Sequence, residues 1–255
     1  MADLGPRHAR RCALRVVAVI QARMGSTRLP GKVLADLRGT SVLGWVSRAA
    51  RAAGSLDATI LATSTATADD PLVAAAEQLA MPVVRGPMDD VLTRYLVALA
   101  ENPCDAVVRL TADCPLLDPA LIDLVVDTWR SDPSWEYLAT TLHRTLPRGL
   151  DVELVRSDVL QSIDAVARGH HRQHVTSLLY SEPQGRRLLG LSVSPAAGDL
   201  RVTLDTAADL ELLRELVRRT GNRLVGWQEV VATLRADPEL AARNAEVVPK
   251  PLEAG

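Results

Sequence analysis

The chain contains no phenylalanine, and aromatic residues make up only 3% of its 255 positions. Stacking of single-stranded nucleic acid requires aromatic platforms, so the sequence does not favour this mode of binding. The net charge also argues against nucleic-acid binding, because 29 Lys and Arg residues and 31 Asp and Glu residues give a formal net charge of −2. That balance provides no broad positive field for a polyanion. Any phosphate-bearing ligand must therefore be bound by a local cluster of cations.

Cysteine is also scarce, and Cys12, Cys104 and Cys114 form no CxxC pair. An odd number of widely spaced cysteines argues against a disulfide framework and against zinc, and is typical of a reducing cytoplasm. The apolar run after the basic start of the chain lasts only from Val16 to Ile20. That is too short for a membrane span or a signal sequence. We therefore expect a cytoplasmic protein with a disordered basic leader over residues 1–14.

What the sequence does contain, in its first half, is an alternation of short β-branched runs with stretches of helical periodicity. The candidate strands cover residues 15–20, 58–63, 81–85 and 105–110, and the candidate helices cover residues 41–53, 70–80, 89–102 and 118–129. Asp70 and Asp89 open two of these helices and are suited to capping them. The alternation predicts an α/β fold with a mostly parallel central sheet flanked by helices.

The second half begins with a change of pattern, from about residue 132 to residue 198. Three apolar runs there predict strands, and a polar helical stretch lies between them, so we expect a small insertion at the sheet edge. A core strand over residues 199–204 follows, and then an amphipathic helix with Thr206 as its cap and Gly221 as its stop. We predict one domain over residues 15–243 and a frayed tail over residues 244–255.

The motif QARMGSTRLPGKVL, residues 21–34, directly follows the first predicted strand. Loops at the carboxyl edge of an α/β sheet present backbone N–H groups to ligands, and Arg23, Arg28 and Lys32 would converge there. Arginine forks and a lysine ammonium are suited to phosphate oxygens. The motif matches neither the Walker A pattern nor GxGxxG, so a surface loop with scattered cations remains the alternative.

Two acids are predicted at the same edge of the sheet. Asp113 follows the strand that ends in RL, and Asp205 follows the strand that ends in VTL. Mg²⁺ prefers one or two carboxylates together with phosphate oxygens and water, so this pair could hold the metal of a metal–phosphate complex. Each acid by itself could equally be a helix cap.

Two further groups of polar residues remain ambiguous. Asp151 and Glu153 alternate along the predicted strand RGLDVELV and could bind substrate hydroxyls or simply protect an exposed strand edge. The cluster GHHRQH, residues 169–174, has neither an HExxH pattern nor a nearby acid, so we favour a structural or anion-contacting role over zinc.

Six motifs, taken in order, resemble the SpsF-type cytidylyltransferases, spore-coat polysaccharide proteins related to acylneuraminate and ketodeoxyoctonate cytidylyltransferases. The motifs are QARMGSTRLPGKVL, RGPMDDVLTRY, RLTADCPLLDP, PRGLDVELV, HVT and LRVTLDTAADLELL, within about residues 15–220. The resemblance implies a nucleotide-diphospho-sugar-transferase-like fold. It also implies a Mg²⁺-dependent homodimer that joins CMP from CTP to an acidic or phosphorylated acceptor and releases pyrophosphate.

The resemblance also implies roles for individual residues. The phosphates of CTP would be held by Arg23, Ser26, Arg28 and Lys32, with Arg23, Lys32 and Asp113 as the catalytic set, and Mg²⁺ by Asp113 and Asp205. Further nucleotide contacts are expected from Gln21, Gly25, Asp90 and Arg94, with Asp89 nearby. The acceptor would be bound by Arg148, Asp151, Glu153, Arg172 and His174. Gln173 and Ala207 depart from the Glu and Pro that are common in such sequences.

Two other functions share parts of this pattern. A metal-dependent glycosyltransferase would have the same sheet and a strand-end acid, but TADCP lacks the second acid of a DxD triplet. A nucleotide-sensing protein would bind CTP without releasing pyrophosphate. Both alternatives predict that CTP-dependent turnover is absent.

Overall fold

A computed structural model describes residues 14–248 of the chain. The predicted leader lies outside the described residues except for Leu14, and so do residues 249–255 of the predicted tail. Asn244, where we expected that tail to begin, is instead buried, with 2% of its surface exposed. Within residues 14–248 no helix is long and apolar enough to cross a membrane.

A seven-stranded sheet forms the centre of the described part of the chain. Its strands are β1 Val16–Gln21, β2 Ala58–Ser64, β3 Val83–Gly86, β4 Ala106–Thr111, β5 Tyr137–Ala139, β6 Glu153–Arg156 and β7 Leu188–Gly190. They are arranged in the order β3-β2-β1-β4-β6-β5-β7, and only β6 runs antiparallel to its neighbours. The predicted mostly parallel sheet is therefore confirmed, and the three strands of the 132–198 region extend it at one end.

Helices cover both faces of the sheet. They are α1 Val42–Ala52, α2 Asp70–Gln78, α3 Val91–Glu101, α4 Pro119–Ser131, α5 Ser157–Asp164, α6 His170–His174, α7 Ser177–Ser181, α8 Ala207–Thr220, α9 Trp227–Ala236 and α10 Pro238–Ala242. Short 3₁₀ turns lie at Lys32–Leu34 and Thr67–Asp69. The long polar helix expected around residues 158–180 is thus three short helices, α5, α6 and α7.

The core consists of two apolar layers, one on each face of the sheet. Val16, Ala18 and Ile20 of β1 pack with α1, α4, α8 and α9, whereas Val17 and Val19 pack with α3, α5 and α7. Because both faces are covered, β1 is apolar at consecutive positions rather than at alternate ones. This double covering leaves the carboxyl edge of the strands as the place where polar residues gather.

The predicted core strand over residues 199–204 is not part of the sheet. The segment is extended and buried, but it forms only an isolated bridge between Arg201 and Arg148. Its Leu204 N–H donates instead to the Asp113 carbonyl at 2.8 Å, so the segment packs against the loop after β4. The apolar residues of this segment correctly predicted that it is buried. An extended segment can, however, be buried without a hydrogen-bonded strand on each side. Its position brings Asp205 next to Asp113.

Candidate active site

A cleft of about 430 Å³ opens where the loops after β1 and β4 meet. The two strands are adjacent and parallel, so the loops that follow them leave the same edge of the sheet. The predicted site residues that line the cleft are Gln21, Arg23, Gly25, Ser26, Arg28, Lys32, Arg94, Asp113, His174 and Asp205. The structure therefore brings the cationic loop and both strand-end acids to one place.

Lys32 lies at the centre of this site, on the 3₁₀ turn that ends the loop. Its Nζ donates to Asp113 Oδ2 at 2.7 Å, to Asp205 Oδ1 at 2.8 Å and to the Leu204 carbonyl at 2.6 Å. Burial opposes the charge on this ammonium, but the attraction of the two carboxylates outweighs it and raises the pKa of Lys32. One cation thus joins segments that are far apart in the sequence.

Asp205 is held by three cations. Arg28 Nη2 lies 2.9 Å and Arg201 Nη2 lies 2.6 Å from Asp205 Oδ2, while Lys32 binds the other oxygen. Burial by itself would raise the pKa of Asp205, but these cations dominate and lower it to about 2. Asp205, two residues before α8, is therefore a carboxylate across the neutral pH range.

Arg201 and Asp209 hold Asp205 in place. Arg201 Nε donates to Asp209 Oδ1 at 2.9 Å, and the backbone N–H groups of Asp205 and Thr206 both donate to Asp209 Oδ2 at 2.9 Å. The Thr206 hydroxyl completes a capping box with Asp209, as the sequence predicted for the start of α8. The buried Asn244 amide also donates to Asp209, at 2.8 Å.

The cationic loop is anchored by a residue that sequence reasoning missed. Asp69 is fully buried, and its Oδ1 accepts a hydrogen bond from the Met24 N–H at 2.7 Å. Its other oxygen accepts from the hydroxyl of Thr63 and from the hydroxyl and N–H of Ser64. The Gly31 N–H closes the loop by donating to the Met24 carbonyl at 3.1 Å, with Gly31 in the left-handed conformation at φ 69°.

The donor set around Lys32 fits a hard divalent cation. Two carboxylate oxygens and one carbonyl oxygen already surround a single positive charge, all within 2.8 Å of it. Oxygen ligands are those that Mg²⁺ prefers, with phosphate oxygens and water completing its shell. Within residues 14–248, no group of three or more His, Cys, Asp or Glu side chains is arranged to hold a metal ion by itself. A cation held by Asp113 and Asp205 would therefore depend on ligand oxygens as well.

Comparison with known proteins identifies the family. The sequence pattern of the family described as "Cytidylyltransferase" matches residues 17–183. The spore coat polysaccharide biosynthesis protein SpsF of Bacillus subtilis is 30% identical over 90% of this chain and 98% of its own length. The chain belongs to the cytidylyltransferase family.

Two further relatives agree with this assignment. A 3-deoxy-manno-octulosonate cytidylyltransferase of Bdellovibrio bacteriovorus is 34% identical over 51% of this chain and 51% of its own. The solved structure of a cytidylyltransferase from Leptospira borgpetersenii superposes with a TM-score of 0.87 at 27% identity, covering 93% of this chain and all of the other. The resemblance read from the six motifs, and the fold that it implied, are confirmed.

Arg94 and Asp90, which we expected to contact the nucleotide, form hydrogen bonds within the protein. Arg94 lines the cleft but is only 1% exposed, and its Nε donates to the Pro87 carbonyl at 2.8 Å while its Nη2 donates to Met88. Arg94 thereby shapes the loop after β3. Asp90 does not line the cleft, because it caps α3 through the Thr93 N–H at 3.0 Å. Asp89, beside it, is exposed.

Two of the predicted acceptor-binding residues, Asp151 and Arg148, do not line the cleft, and Arg148 lines a separate cavity of about 130 Å³ instead. Asp151 forms a two-point ion pair with Arg144, at 2.6 and 3.1 Å. Arg148 is half-buried, and its guanidinium makes no hydrogen bond or ion pair with the described residues 14–248. Burial and the nearby charge of Arg144 lower the pKa of Arg148. A cation in this position is suited to an anionic group of a ligand.

Of the other three predicted acceptor-binding residues, His174 lines the cleft, whereas Glu153 and Arg172 do not. Glu153 is 7% exposed and is bound by Arg109, Tyr137 and Thr176, and it does not line the cleft. Arg172 does not line the cleft, and it pairs with Asp90 at 2.7 Å, which ties α6 to α3. Direct contact of these two residues with an acceptor stays a prediction, and in the structure both charges are paired within the protein.

His174 does line the cleft, and a strained turn holds it there. Val175 has φ 59° and ψ −64°, and the Thr176 N–H donates to the His174 carbonyl at 2.6 Å, which makes a γ-turn. Such a conformation is costly for a β-branched residue and is found where the surrounding structure enforces it. Val175 is fully buried, which provides that enforcement.

Sequence reasoning missed Arg109, Arg201 and Asp69, and only the first two could have been found from the sequence. Arg109 interrupts an otherwise apolar strand, and Arg201 interrupts the apolar segment before Asp205, so each is a charge at a position of expected burial. A buried charge requires a partner, and that rule could have identified both. Asp69 gave no such signal, because it directly precedes α2, which begins at Asp70, and resembles an ordinary helix cap.

Proposed function

We propose that this cytidylyltransferase uses Mg²⁺ to transfer CMP from CTP to an acidic sugar, a phosphonate or a phosphorylated acceptor, with release of pyrophosphate. The observation that carries the proposal is the convergence of Arg28 and Lys32 on Asp205 and Asp113, inside the cleft that the loop after β1 encloses. The cations that would bind a triphosphate are thus in direct contact with the carboxylates that would bind its metal.

In the proposed reaction an oxygen of the acceptor attacks the α-phosphorus of CTP. A new P–O bond forms, and the bond to the bridging oxygen breaks, with its electron pair leaving on pyrophosphate. Mg²⁺, held by Asp113 and Asp205, would supply neutralisation of phosphate charge. A phosphate or phosphonate oxygen is already deprotonated and needs no strong base.

The protein's own contribution is electrostatic. Arg23, Arg28 and Lys32 would stabilise the charge that develops on pyrophosphate, and Asp69 would hold the loop so that these groups are in position before the reaction. Lys32 and Arg28 are now paired with carboxylates, so phosphate oxygens would replace Asp113 and Asp205 as their partners. Ser26 and Gly25 add polar backbone at the same wall of the cleft.

The acceptor would approach from the side of His174, which lines the cleft, and an anionic group of the acceptor would reach Arg148 in the separate cavity that this residue lines. A half-buried guanidinium that makes no ion pair with the described residues supports an anionic acceptor. Relatives named for spore coat polysaccharide and for 3-deoxy-manno-octulosonate support a sugar acid in surface polysaccharide synthesis. We also propose that the enzyme is cytoplasmic and works as a homodimer, with the region 132–198 contributing to the interface.

The test is CTP-dependent pyrophosphate release in Mg²⁺ with sugar acids, phosphonates and polyol phosphates as acceptors. We expect turnover with at least one acceptor, and Asp113→Asn should lose at least ~3 kcal/mol of transition-state stabilisation, or more than about a hundredfold in rate. Asp127→Asn is the control, since Asp127 is exposed on α4. Unchanged turnover in Asp113→Asn would refute the assignment, whereas transfer from a nucleotide sugar would favour the glycosyltransferase alternative.

A further inference from the structure

The side chain of Gln21 ends a buried polar network beneath the cleft. Gln21 is the last residue of β1, is half-buried, and lines the cleft. Its Oε1 accepts hydrogen bonds from Arg109 Nε at 3.1 Å and from Tyr95 Oη at 3.2 Å. Both donors lie in the protein interior, because Tyr95 has no exposed surface and the Arg109 side chain is only 11% exposed.

The contact with Arg109 determines which way the amide of Gln21 faces, because the single hydroxyl proton of Tyr95 is shared between Gln21 Oε1 and the Val19 carbonyl at 3.3 Å. The guanidinium of arginine has donors and no acceptor, so only the oxygen of the Gln21 amide can lie against Arg109. Rotation of the amide by 180° would place its NH₂ group against the N–H of Arg109 and would leave two donors in contact. The amide oxygen is therefore turned inward, and the NH₂ group makes no hydrogen bond within the described residues 14–248.

Arg109 is in turn fixed by Glu153. The two residues face each other across the β4–β6 pair, and Arg109 Nη1 donates to Glu153 Oε1. Glu153 Oε2 accepts from Tyr137 Oη at 2.7 Å and from the Thr176 hydroxyl. The three hydrogen bonds to the Glu153 carboxylate are charge-assisted and buried. The side chains of Arg109 and Glu153 therefore have little freedom to change position.

We propose that Arg109, held by Glu153, is a positioning residue that locks the Gln21 amide with its NH₂ group toward the bound nucleotide, where it donates a hydrogen bond to an oxygen of CTP. The inference rests on the proposed function for the identity of the ligand. It gives Glu153 an indirect role and explains why a charged pair lies under the cleft. The oxygen belongs either to the nucleoside or to the phosphates of CTP.

Nuclear magnetic resonance of the ¹⁵N-labelled protein tests the proposal without turnover. The side-chain NH₂ signals of Gln21 are identified as the pair that is missing in Gln21→Glu. Titration calorimetry on the same sample first establishes that CTP with Mg²⁺ binds, and absence of binding is a failure of the proposed function. When CTP is bound, the Gln21 NH₂ signals should shift, and signals that do not move would overturn the inference.

A second titration locates the oxygen. Pyrophosphate with Mg²⁺ occupies the phosphate positions and has no nucleoside. A shift with CTP but not with pyrophosphate assigns the contact to the nucleoside, and a shift with both assigns it to phosphate. Absence of pyrophosphate release with every acceptor, together with a shift on CTP binding, would remove the proposed function and leave the donor role of Gln21 in place.

Substitutions separate positioning from simple structural support. Gln21→Glu keeps the contact with Arg109 but replaces the NH₂ group by oxygen, so CTP affinity should fall at least tenfold while the protein remains folded. Gln78→Glu, on the exposed face of α2, should change it less than twofold. Arg109→Lys keeps the charge for Glu153 but cannot reach both partners in the same forked geometry.

Arg109→Lys should therefore weaken CTP binding, and adding it to Gln21→Glu should cause no further loss. This lack of additivity is the sign that both residues act through one hydrogen bond. Full additivity of the two losses, or unchanged CTP affinity in Gln21→Glu, would overturn the positioning role.

Discussion

Replacement of Asp69 by asparagine should uncouple the cationic loop after β1 from the sheet. The carboxylate accepts hydrogen bonds from Met24, from Thr63 and twice from Ser64. An asparagine has one acceptor oxygen, so its NH₂ group must face either the Met24 N–H or the donors on β2. Either orientation sets two donors against each other in a fully buried site.

The expected loss of stability follows from the number of bonds affected. A hydrogen bond to a charged group contributes about 1.5–3 kcal/mol, and a buried donor left without a partner costs about 1–3 kcal/mol. Asp69→Asn loses at least one such bond and weakens the others, so the free energy of unfolding at pH 7 should fall by about 3 kcal/mol. CTP affinity should fall as well, because Met24 lies between Arg23 and Gly25 in the loop.

The effect should also depend on pH in a defined direction. Burial by itself would raise the pKa of Asp69, but the hydrogen bonds from Met24, Ser64 and Thr63 dominate and lower it. A carboxyl group with a lowered pKa stabilises the folded state above its unfolded pKa of about 3.9 and loses that contribution as the pH falls through the folded value. The difference between the two proteins should therefore shrink below about pH 4.

Urea unfolding at several pH values measures this difference, with Asp70→Asn as the matched control. Asp70 is the next residue, is 56% exposed, and pairs with Arg85 at 2.8 Å on the surface. Exposed ion pairs contribute about 0–1 kcal/mol, so the control should change little. Equal losses of stability in the two variants, or full CTP affinity in Asp69→Asn, would refute the role of Asp69 as the anchor of the loop.

Three other substitutions test the segment around Asp205. Asp205→Asn removes a carboxylate whose pKa is lowered to about 2, so it should cost about 2 kcal/mol at pH 7, and urea unfolding should show this loss vanishing as the pH falls from 4 towards 2. Gly149→Ala should prevent the native loop, because Gly149 has φ 106° and an added Cβ would lie 2.5 Å from the Thr203 nitrogen; a melting temperature equal to that of the native protein would contradict this. Thr206→Ala should lower the free energy of unfolding by about 1 kcal/mol through loss of the α8 cap, and a change below the error of urea titration would count against the capping box.

The sheet and its helices could be predicted from the sequence because their signals are local. The strands β1, β2 and β4 are short β-branched runs buried on both faces, and the edge strand β3 is buried at alternate positions. Each helix between these strands has apolar residues at helical spacing. The segment at 199–204 has the same apolar character but no strand ladder. Its burial is determined by the loop after β4, which lies about ninety residues earlier in the chain. No local pattern contains that information.

The residues of the site also differ in whether a local sequence signal predicts them. Arg28, Lys32 and Asp113 could be predicted because each lies in a loop that follows a strand, and Asp205 could be predicted because the buried apolar segment before it resembles a strand. Glu153 was visible as a charge in a strand, but its inward orientation depends on Arg109, a partner on another strand. Residues that act through a distant partner are recognised only when the fold brings the partner into view.

Calorimetric titration of CTP with and without Mg²⁺ tests the central claim most directly, because the claim is that one triphosphate contacts both the loop cations and a metal held by Asp113 and Asp205. Binding to the native protein should tighten in Mg²⁺, and Asp113→Asn and Asp205→Asn should lose most of that gain while still binding metal-free CTP. If both variants retain the full Mg²⁺-dependent gain in affinity, the metal is bound elsewhere and the account is contradicted.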